Sequence, residues 1–129
     1  MFEHRRQGKE LTQRFWGILT AGEVAQSVAL FHGSPYFDEI TDVVFDFIGV
    51  LEFVVEEGIP EELAAFDAAA SFTNPKIRIA VVSQNPKIMA GVRDYCSSEI
   101  SRYPVHICAS TSEAGDWFML PNSHFRKQI

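Results

Sequence analysis

The fold of this 129-residue chain is decided by one stretch, Asp42-Val43-Val44-Phe45-Asp46-Phe47-Ile48. It is apolar at nearly every position, whereas a strand with one face in water alternates apolar and polar residues. A loop follows, and then a helix with Pro60 in its first turn, where a missing N–H breaks no hydrogen bond. The pattern predicts a strand buried on both faces of a parallel sheet, in the part of the chain where open α/β sheets usually place their sites.

Turn and capping signals divide the rest of the chain into short elements. The N-terminus is typical of a hairpin, with strands at Phe2–Arg6 and Leu11–Leu19 around Gln7-Gly8-Lys9, and Gly17 is a candidate bulge. Further strands are expected at Lys76–Ser83 and Val105–Ala109. Four helices are predicted. The first follows the capping box Thr20-Ala21-Gly22-Glu23, the second runs from Pro60 to about Phe72, and the third runs from Asn85-Pro86 to about Ile100. The fourth follows the capping box Ser110-Thr111-Ser112-Glu113 and ends near Leu120-Pro121.

This order of elements predicts an α/β fold with a mixed, mostly parallel sheet, an N-terminal β-hairpin and about four helices. We expect one domain over residues 1–129, with its core at about residues 10–120 and a frayed C-terminal tail at 121–129. No apolar run approaches the roughly 20 residues that cross a bilayer, so we expect a cytoplasmic protein without a membrane span. Cys96 and Cys108 have no metal-ligand spacing and are expected to be inert, reduced thiols.

Charge is distributed unevenly along the chain. No lysine or arginine lies between Arg14 and Lys76, yet this segment holds eleven of the seventeen carboxylates. With a net charge of −6 and no basic stripe, the chain is a poor match for the phosphate backbone of nucleic acids. Five glutamates lie around the loop and helix start after the central strand: Glu52, Glu56, Glu57, Glu61 and Glu62. They are either a docking surface for a basic partner or ordinary solvated charges, of which Glu61 and Glu62 complement a helix dipole.

Polar residues also stand at the predicted carboxyl ends of strands, where sites in such folds form. Asp46 interrupts a run that should be buried, so its carboxylate either belongs to a site or caps the amides of a nearby loop. The segment Ser83-Gln84-Asn85 either offers free helix amides to an anion or contains the helix cap, Asn85.

No arrangement of residues indicates catalysis, a metal or a cofactor. The histidines His4, His32, His106 and His124 are widely separated, and the chain has no nucleophile elbow and no glycine-rich phosphate loop. His106 alternates with Val105 and Ile107 in a predicted strand, so we expect a buried, neutral imidazole. The sequence therefore favours a protein that is not an enzyme and has no catalytic residues, metal or cofactor.

An ordered series of short motifs resembles the SpoIIAA-like, STAS-type family, which consists of small bacterial proteins related to anti-sigma-factor antagonists. The motifs are Val43-Val44-Phe45-Asp46-Phe47 with Gly49-Val50, Ala68-Ala69-Ala70-Ser71, Asn74-Pro75-Lys76-Ile77-Arg78-Ile79-Ala80-Val81-Val82-Ser83, Gly91 and Trp117. The similarity covers about residues 10–120. It implies a regulatory module that binds a protein partner.

In the antagonists of this family, a serine at the start of the helix after the central strand is phosphorylated, which ends partner binding. The matching positions from Val54 to Gly58 hold Val-Val-Glu-Glu-Gly, with no hydroxyl to phosphorylate. Glu56 and Glu57 are therefore candidates for a permanent substitute of the phosphate charge. The resulting candidate binding residues are Asp46, Glu56, Glu57, Gly58, Ser83 and Asn85.

Two further questions stay open at the level of sequence. Aromatic residues beside the first two helices, together with the family's kinship to lipid-carrier domains, suggest as an alternative a carrier of a small apolar ligand or lipid. The outer edge of the N-terminal hairpin leaves homodimer formation through strand edges open.

Overall fold

One five-stranded sheet organises the protein, and the computed structural model describes residues 1–97 and 102–121. The strands stand in the order β1-β2-β3-β4-β5. The strands are β1 (Phe2–Gln7), β2 (Glu10–Thr20), β3 (Asp42–Val54), β4 (Arg78–Val82) and β5 (Val105–Cys108). The helices are α1 (Ala21–His32), α2 (Ile59–Ala70), α3 (Pro86–Ser97) and α4 (Thr111–Phe118). β1 and β2 are antiparallel and every other neighbouring pair is parallel, which confirms the predicted α/β fold with an N-terminal hairpin.

Helices cover the two faces of the sheet unequally. On one face α2 packs between α1 and α3, and the main core lies beneath them. There the Phe15 ring stacks on Phe47 at 4.8 Å and on Phe45 at 6.2 Å between centroids. On the other face α4 packs on β3, β4 and β5, and Trp117 and Phe118 close a smaller cluster. The first half of β3 is thus buried on both faces, as its continuous apolar run predicts.

The central strand is longer than its apolar run predicts. β3 continues through Gly49–Val54, a segment expected to be loop because Gly49 and Glu52 break the apolar pattern. This expectation was wrong because the segment pairs with the equally long β2, a contact that no local pattern reveals. The ladder slips at two points, with Trp16 opposite Gly49 and Ile18 opposite Glu52.

The slips place extra residues in β3 and confirm the bulge predicted at Gly17. Gly17 has φ +76°, a left-handed conformation that glycine adopts without a steric penalty. Leu51 is the extra residue at that bulge, because Gly17 pairs with Val50 and Ile18 pairs with Glu52.

β3 pairs with β4 only as far as the Asp46–Val82 pair. Beyond that level, β2 and β3 continue as a two-stranded parallel ribbon, which we call the β2–β3 extension (Trp16–Thr20 and Gly49–Val54). Within the described residues, the edge of β3 that faces away from β2 has no strand partner in this extension. The sheet therefore has a broad four-strand parallel part and a narrow projection at the carboxyl end of β3.

The two predicted capping boxes have different outcomes. In α4, Ser110 accepts the Glu113 N–H at 3.2 Å, as predicted, and the Glu113 carboxylate reaches back one residue beyond the N-cap to the Ala109 N–H at 2.9 Å. In α1, Thr20 accepts the Glu23 N–H at 3.1 Å. The Glu23 carboxylate does not reach back, because it pairs with the Met1 amino group at 2.9 Å.

Two predicted boundaries fall on residues that the structure does not describe. The expected end of the third helix near Ile100 lies outside the described residues, and so does most of the predicted tail, residues 122–129. Of the four histidines, His124 also lies there.

Candidate functional site: the acidic turn and the β2–β3 extension

The turn that joins β3 to α2 consists of Val55-Glu56-Glu57-Gly58, which we call the acidic turn. Gly58 has φ +84° and stands at the N-cap of α2, where it provides no side-chain cap. The Glu56 carbonyl accepts the Ile59 N–H at 3.3 Å and closes the turn. The conformation that Gly58 adopts is accessible to few other residue types, which explains a glycine at this position.

The two glutamates of the acidic turn have different surroundings. Glu56 directs its carboxylate to the first turn of α1, where Oε1 accepts the Gly22 N–H at 3.1 Å. It therefore stabilises the positive end of α1, whereas the sequence associates it with the start of α2. Glu57 is exposed and makes no hydrogen bond or ion pair with a described residue. Of the two predicted phosphate substitutes, Glu56 thus attaches the turn to α1, and Glu57 presents a free charge.

Gly22 makes this attachment sterically possible. A Cβ atom built on Gly22 would lie 2.6 Å from Oε2 of Glu56, which is closer than real Cβ atoms approach an oxygen. Any larger residue at this position has to displace the carboxylate. The contact joins the far end of the β2–β3 extension to the helix that follows β2.

Of the eleven acids in the basic-free segment, four contact a basic group of the described residues, and the five glutamates that the sequence singles out do not. Glu23, Glu39, Asp42 and Asp67 contact the Met1 amino group, Arg6, Arg78 and His32, respectively, within 4 Å. In contrast, Glu52, Glu56, Glu57, Glu61 and Glu62 are exposed and form no salt bridge with any described residue. Negative charge is therefore concentrated, without compensation, at the end of β3 and the start of α2.

Asp46 lies at the boundary between the two halves of β3. Its Oδ1 accepts the Ile48 N–H at 3.0 Å, across the first bulge. A bulge frees one amide from the strand ladder, so this carboxylate satisfies a backbone group that would otherwise have no partner here. The contact matches the structural alternative for Asp46, a carboxylate that caps local amides.

The Ser83–Asn85 segment also uses its polar groups within the fold. Ser83 is buried and its Oγ accepts the Asn85 N–H at 3.1 Å. The Asn85 Oδ1 accepts the N–H groups of Lys87 at 2.9 Å and Ile88 at 3.3 Å. The free amides that an anion would use at the start of α3 are thus already bonded to the Asn85 side chain.

The structure separates the six predicted site residues into two groups. Asp46 stands opposite Val82, the last residue of β4, so Asp46 and the Ser83–Asn85 segment lie at one level of the sheet. The acidic turn lies beyond the other end of the extension, roughly 20 Å further along β3 at about 3.3 Å per residue. Asp46 and the Glu56–Gly58 residues therefore do not form one site.

A buried polar cluster under the helices has no signal in the sequence pattern. The Asp67 carboxylate of α2 accepts the Tyr95 hydroxyl of α3, and His32 Nε2 of α1 lies 3.1 Å from Asp67 Oδ1. Burial and the nearby Asp67 charge raise the pKa of Tyr103, whose hydroxyl donates to the Asn74 carbonyl at 2.8 Å. The cluster links three helices through residues 28 to 35 positions apart, and only the tertiary fold brings them together.

The cavity between the sheet and helices α1–α3 is small. It has a volume of about 90 Å³ and is lined by apolar atoms of residues such as Phe45, Phe53 and Val92. A second, wider space of about 390 Å³ between α1 and α2 is an open surface groove beside Phe66. Pockets that hold drug-sized ligands enclose about 300–1,000 Å³ and bury most of the ligand surface.

Other residues considered in the sequence have structural surroundings. His106 is exposed and stacks on Trp117 at 5.2 Å, so the expectation of a buried imidazole was wrong, because β5 is an edge strand. Cys96 is exposed and Cys108 is buried, and burial raises the pKa of the Cys108 thiol. Among residues 1–97 and 102–121, no cluster of three potential metal ligands occurs, and no helix is long and apolar enough to cross a bilayer.

Solved structures of another protein share this arrangement of strands and helices. The anti-sigma factor antagonist SpoIIAA in its unphosphorylated form superposes with a TM-score of 0.61 over 92% of this chain and 97% of that one, at 14% sequence identity. The chain has the fold of SpoIIAA. The phosphorylated form of SpoIIAA, a Bacillus cell fate determinant, matches with a TM-score of 0.57 and 17% identity, over 92% of this chain and 99% of that chain.

The match confirms the STAS-type, SpoIIAA-like fold that the sequence motifs predict. No protein-family model matches the chain, and no curated protein is significantly similar to it. At 14% and 17% identity the likeness concerns the fold, and a function has to be argued from the residues of this chain.

Proposed function

We propose that this protein is a non-catalytic regulatory module of the STAS type that binds a protein partner and lacks the phosphorylatable serine. The observation that carries the proposal is the acidic turn, where two exposed carboxylates occupy the junction of β3 and α2 and no hydroxyl-bearing residue is present. SpoIIAA, which has the same fold, exists in unphosphorylated and phosphorylated forms. Here the charge at this junction is permanent, so regulation would use another signal.

The contacts of the turn support separate roles for its two glutamates. Glu56 holds the turn against the first turn of α1 through the Gly22 N–H. Glu57 then projects into solvent at a defined place, whereas Glu61 and Glu62 lie in the first turn of α2 and complement its dipole. A surface that is rigid and carries uncompensated charge suits the recognition of a basic patch on a partner, because opposite charge accelerates and orients encounter.

The alternative function, a carrier of a small apolar ligand or lipid, has weaker support. The cavity of about 90 Å³ between the sheet and helices α1–α3 is well below the size that ligand pockets need. Native mass spectrometry of freshly purified protein separates the two functions, because a carrier would show the added mass of its ligand.

Affinity capture from the native cells tests the proposal. The variant Glu56→Gln/Glu57→Gln removes the charge of the acidic turn, and Glu61→Gln/Glu62→Gln makes the same charge change in the first turn of α2. We expect the wild type and the α2 variant to recover the same specific protein at low salt, and recovery to fall about tenfold for the acidic-turn variant. Failure of the wild type to recover a specific protein, or equal recovery by both variants, would contradict the proposal.

A further inference from the structure

We infer that the open edge of β3 from Ile48 to Val54 is the docking site for an extended basic segment of a partner, which adds to the sheet as a strand. The inference deepens the proposed function and rests on it, since it assumes that the protein binds a partner. It assigns the contact to the β2–β3 extension, next to the acidic turn.

The edge has unused hydrogen-bonding groups. Pairing with β4 ends at Asp46, whereas β3 continues to Val54, so about 20 Å of strand has no partner on this side among the described residues. On an edge strand, alternate backbone N–H and C=O groups point away from the sheet and are available to another chain. The Ile48 N–H is already bonded to Asp46, so the available groups lie beyond it. Addition of a strand satisfies these groups and requires no change in the fold.

Apolar side chains accompany this edge. Ile48 and Val54 alternate with the core-facing Phe47 and Phe53, so they point to the face opposite helices α1–α3. Their exposed fractions are 55% and 45%, and Leu51, displaced outward by the bulge, is 84% exposed. Ile18 on the neighbouring strand is 66% exposed. Grouped exposed residues of this kind mark interaction surfaces, whereas isolated ones are ordinary.

The charge around the edge identifies the occupant. Glu52 lies within the open strand and the acidic turn follows its end, and none of these carboxylates has a cation among the described residues. An incoming strand that alternates apolar side chains with Lys or Arg would cover the apolar strip and neutralise these charges. A second copy of this chain is a poorer match, because pairing two such edges would bring both sets of carboxylates together. Glu52 also protects the unoccupied edge from unspecific pairing.

A synthetic peptide of about eight residues that alternates Val and Lys is the probe, since this length matches the open edge. Two matched peptides serve as controls: one with Glu in place of Lys, and one that keeps every Lys but has Pro in place of two Val. We expect the Val-Lys peptide alone to slow hydrogen exchange of amides in Ile48–Val54. The proline peptide has the same charge but cannot complete a strand ladder, so it should bind at least about tenfold more weakly.

Variants of the protein locate the contact. Leu51→Lys places a positive charge at the most exposed apolar position of the edge, and Leu30→Lys makes the same change at a 60%-exposed position on α1. We expect Leu51→Lys to weaken peptide binding about tenfold or more and Leu30→Lys to change it less than about twofold. Leu51→Ser, which removes the apolar contact without adding charge, provides the comparison if the lysine variant is less stable.

Several results would overturn the inference. One is that the Val-Lys peptide leaves hydrogen exchange of the Ile48–Val54 amides unchanged, and another is that the proline peptide binds as tightly as the Val-Lys peptide. A third is that Leu51→Lys and Leu30→Lys weaken peptide binding equally. The last is that the protein forms a dimer in solution that Leu51→Lys dissociates. Failure of this inference is distinguishable from failure of the proposed function. A captured partner that depends on Glu56 and Glu57 but not on Leu51 would retain the function and eliminate this docking site.

Discussion

The two halves of β3 belong to one strand but have opposite surroundings. The first half, Asp42–Asp46, pairs with β2 and β4, and helices cover both of its faces. The second half, Ile48–Val54, pairs with no described strand other than β2, and it exposes three large apolar side chains beside carboxylates that form no salt bridge with a described residue. The difference indicates that the first half supplies stability, whereas the second half is the part that the fold leaves available for a partner.

The largest expected effect contrasts one apolar residue from each half. Phe45 is buried and stacks with Phe15 and Phe47, so Phe45→Ala should lower the free energy of unfolding by about 3 kcal/mol or more. Leu51 is 84% exposed, so Leu51→Ala should change it by less than about 0.5 kcal/mol. Urea denaturation measures both. Comparable losses would mean that the second half is packed in solution, and the comparison between the halves would fail.

A smaller effect is expected at the boundary between the halves, where Asp46 accepts the Ile48 N–H. Asp46→Ala leaves that amide without its acceptor and should cost about 1 kcal/mol in the free energy of unfolding. Asp46→Asn keeps an oxygen acceptor and should cost less than half as much. Urea denaturation and hydrogen exchange of the Ile48 amide provide the measurements.

Asp38→Ala is the matched control for Asp46, because Asp38 is an exposed acid with no bond to a described residue. It should change stability by less than about 0.5 kcal/mol. If Asp46→Ala behaves like this control, the carboxylate does not stabilise the bulge, and the alternative that Asp46 belongs to a site regains support.

The features that the sequence predicts well are those with local signals. The buried strand at Val43–Phe47, the hairpin turn around Gly8 and the cap at Ser110 each depend on residues a few positions apart. Asp46 belongs to this group as well, since its partner is two residues away and the capping of a local amide is one of its two sequence-based interpretations.

The features that the sequence misses depend on tertiary pairing. The second half of β3 lacks an apolar run and is a strand because β2 lies beside it. The partner of Glu56 is Gly22, which is 34 residues away and has no side chain to indicate a contact. The cluster of His32, Asp67 and Tyr95 needs three helices at their final positions. Local patterns contain no information about such contacts, so the candidate surface could be placed near the end of β3 but not divided into its two parts.

The smallest expected effect tests whether the end of the open half is attached to α1. Gly22→Ala should favour the helix by about 0.5 kcal/mol, but its Cβ would displace the Glu56 carboxylate and lose a contact of similar value. The two contributions should cancel in the wild type, whereas in Glu56→Ala the substitution should stabilise by the full amount.

Gly115→Ala in α4 is the control, because its Cβ would meet no atom within 4 Å and the substitution should stabilise equally in both backgrounds. A double-mutant cycle at low salt measures the coupling between Gly22 and Glu56. If Gly22→Ala changed the free energy of unfolding equally in the wild type and in Glu56→Ala, the Glu56 carboxylate would move freely. The acidic turn would then belong to the open, unattached part of the molecule.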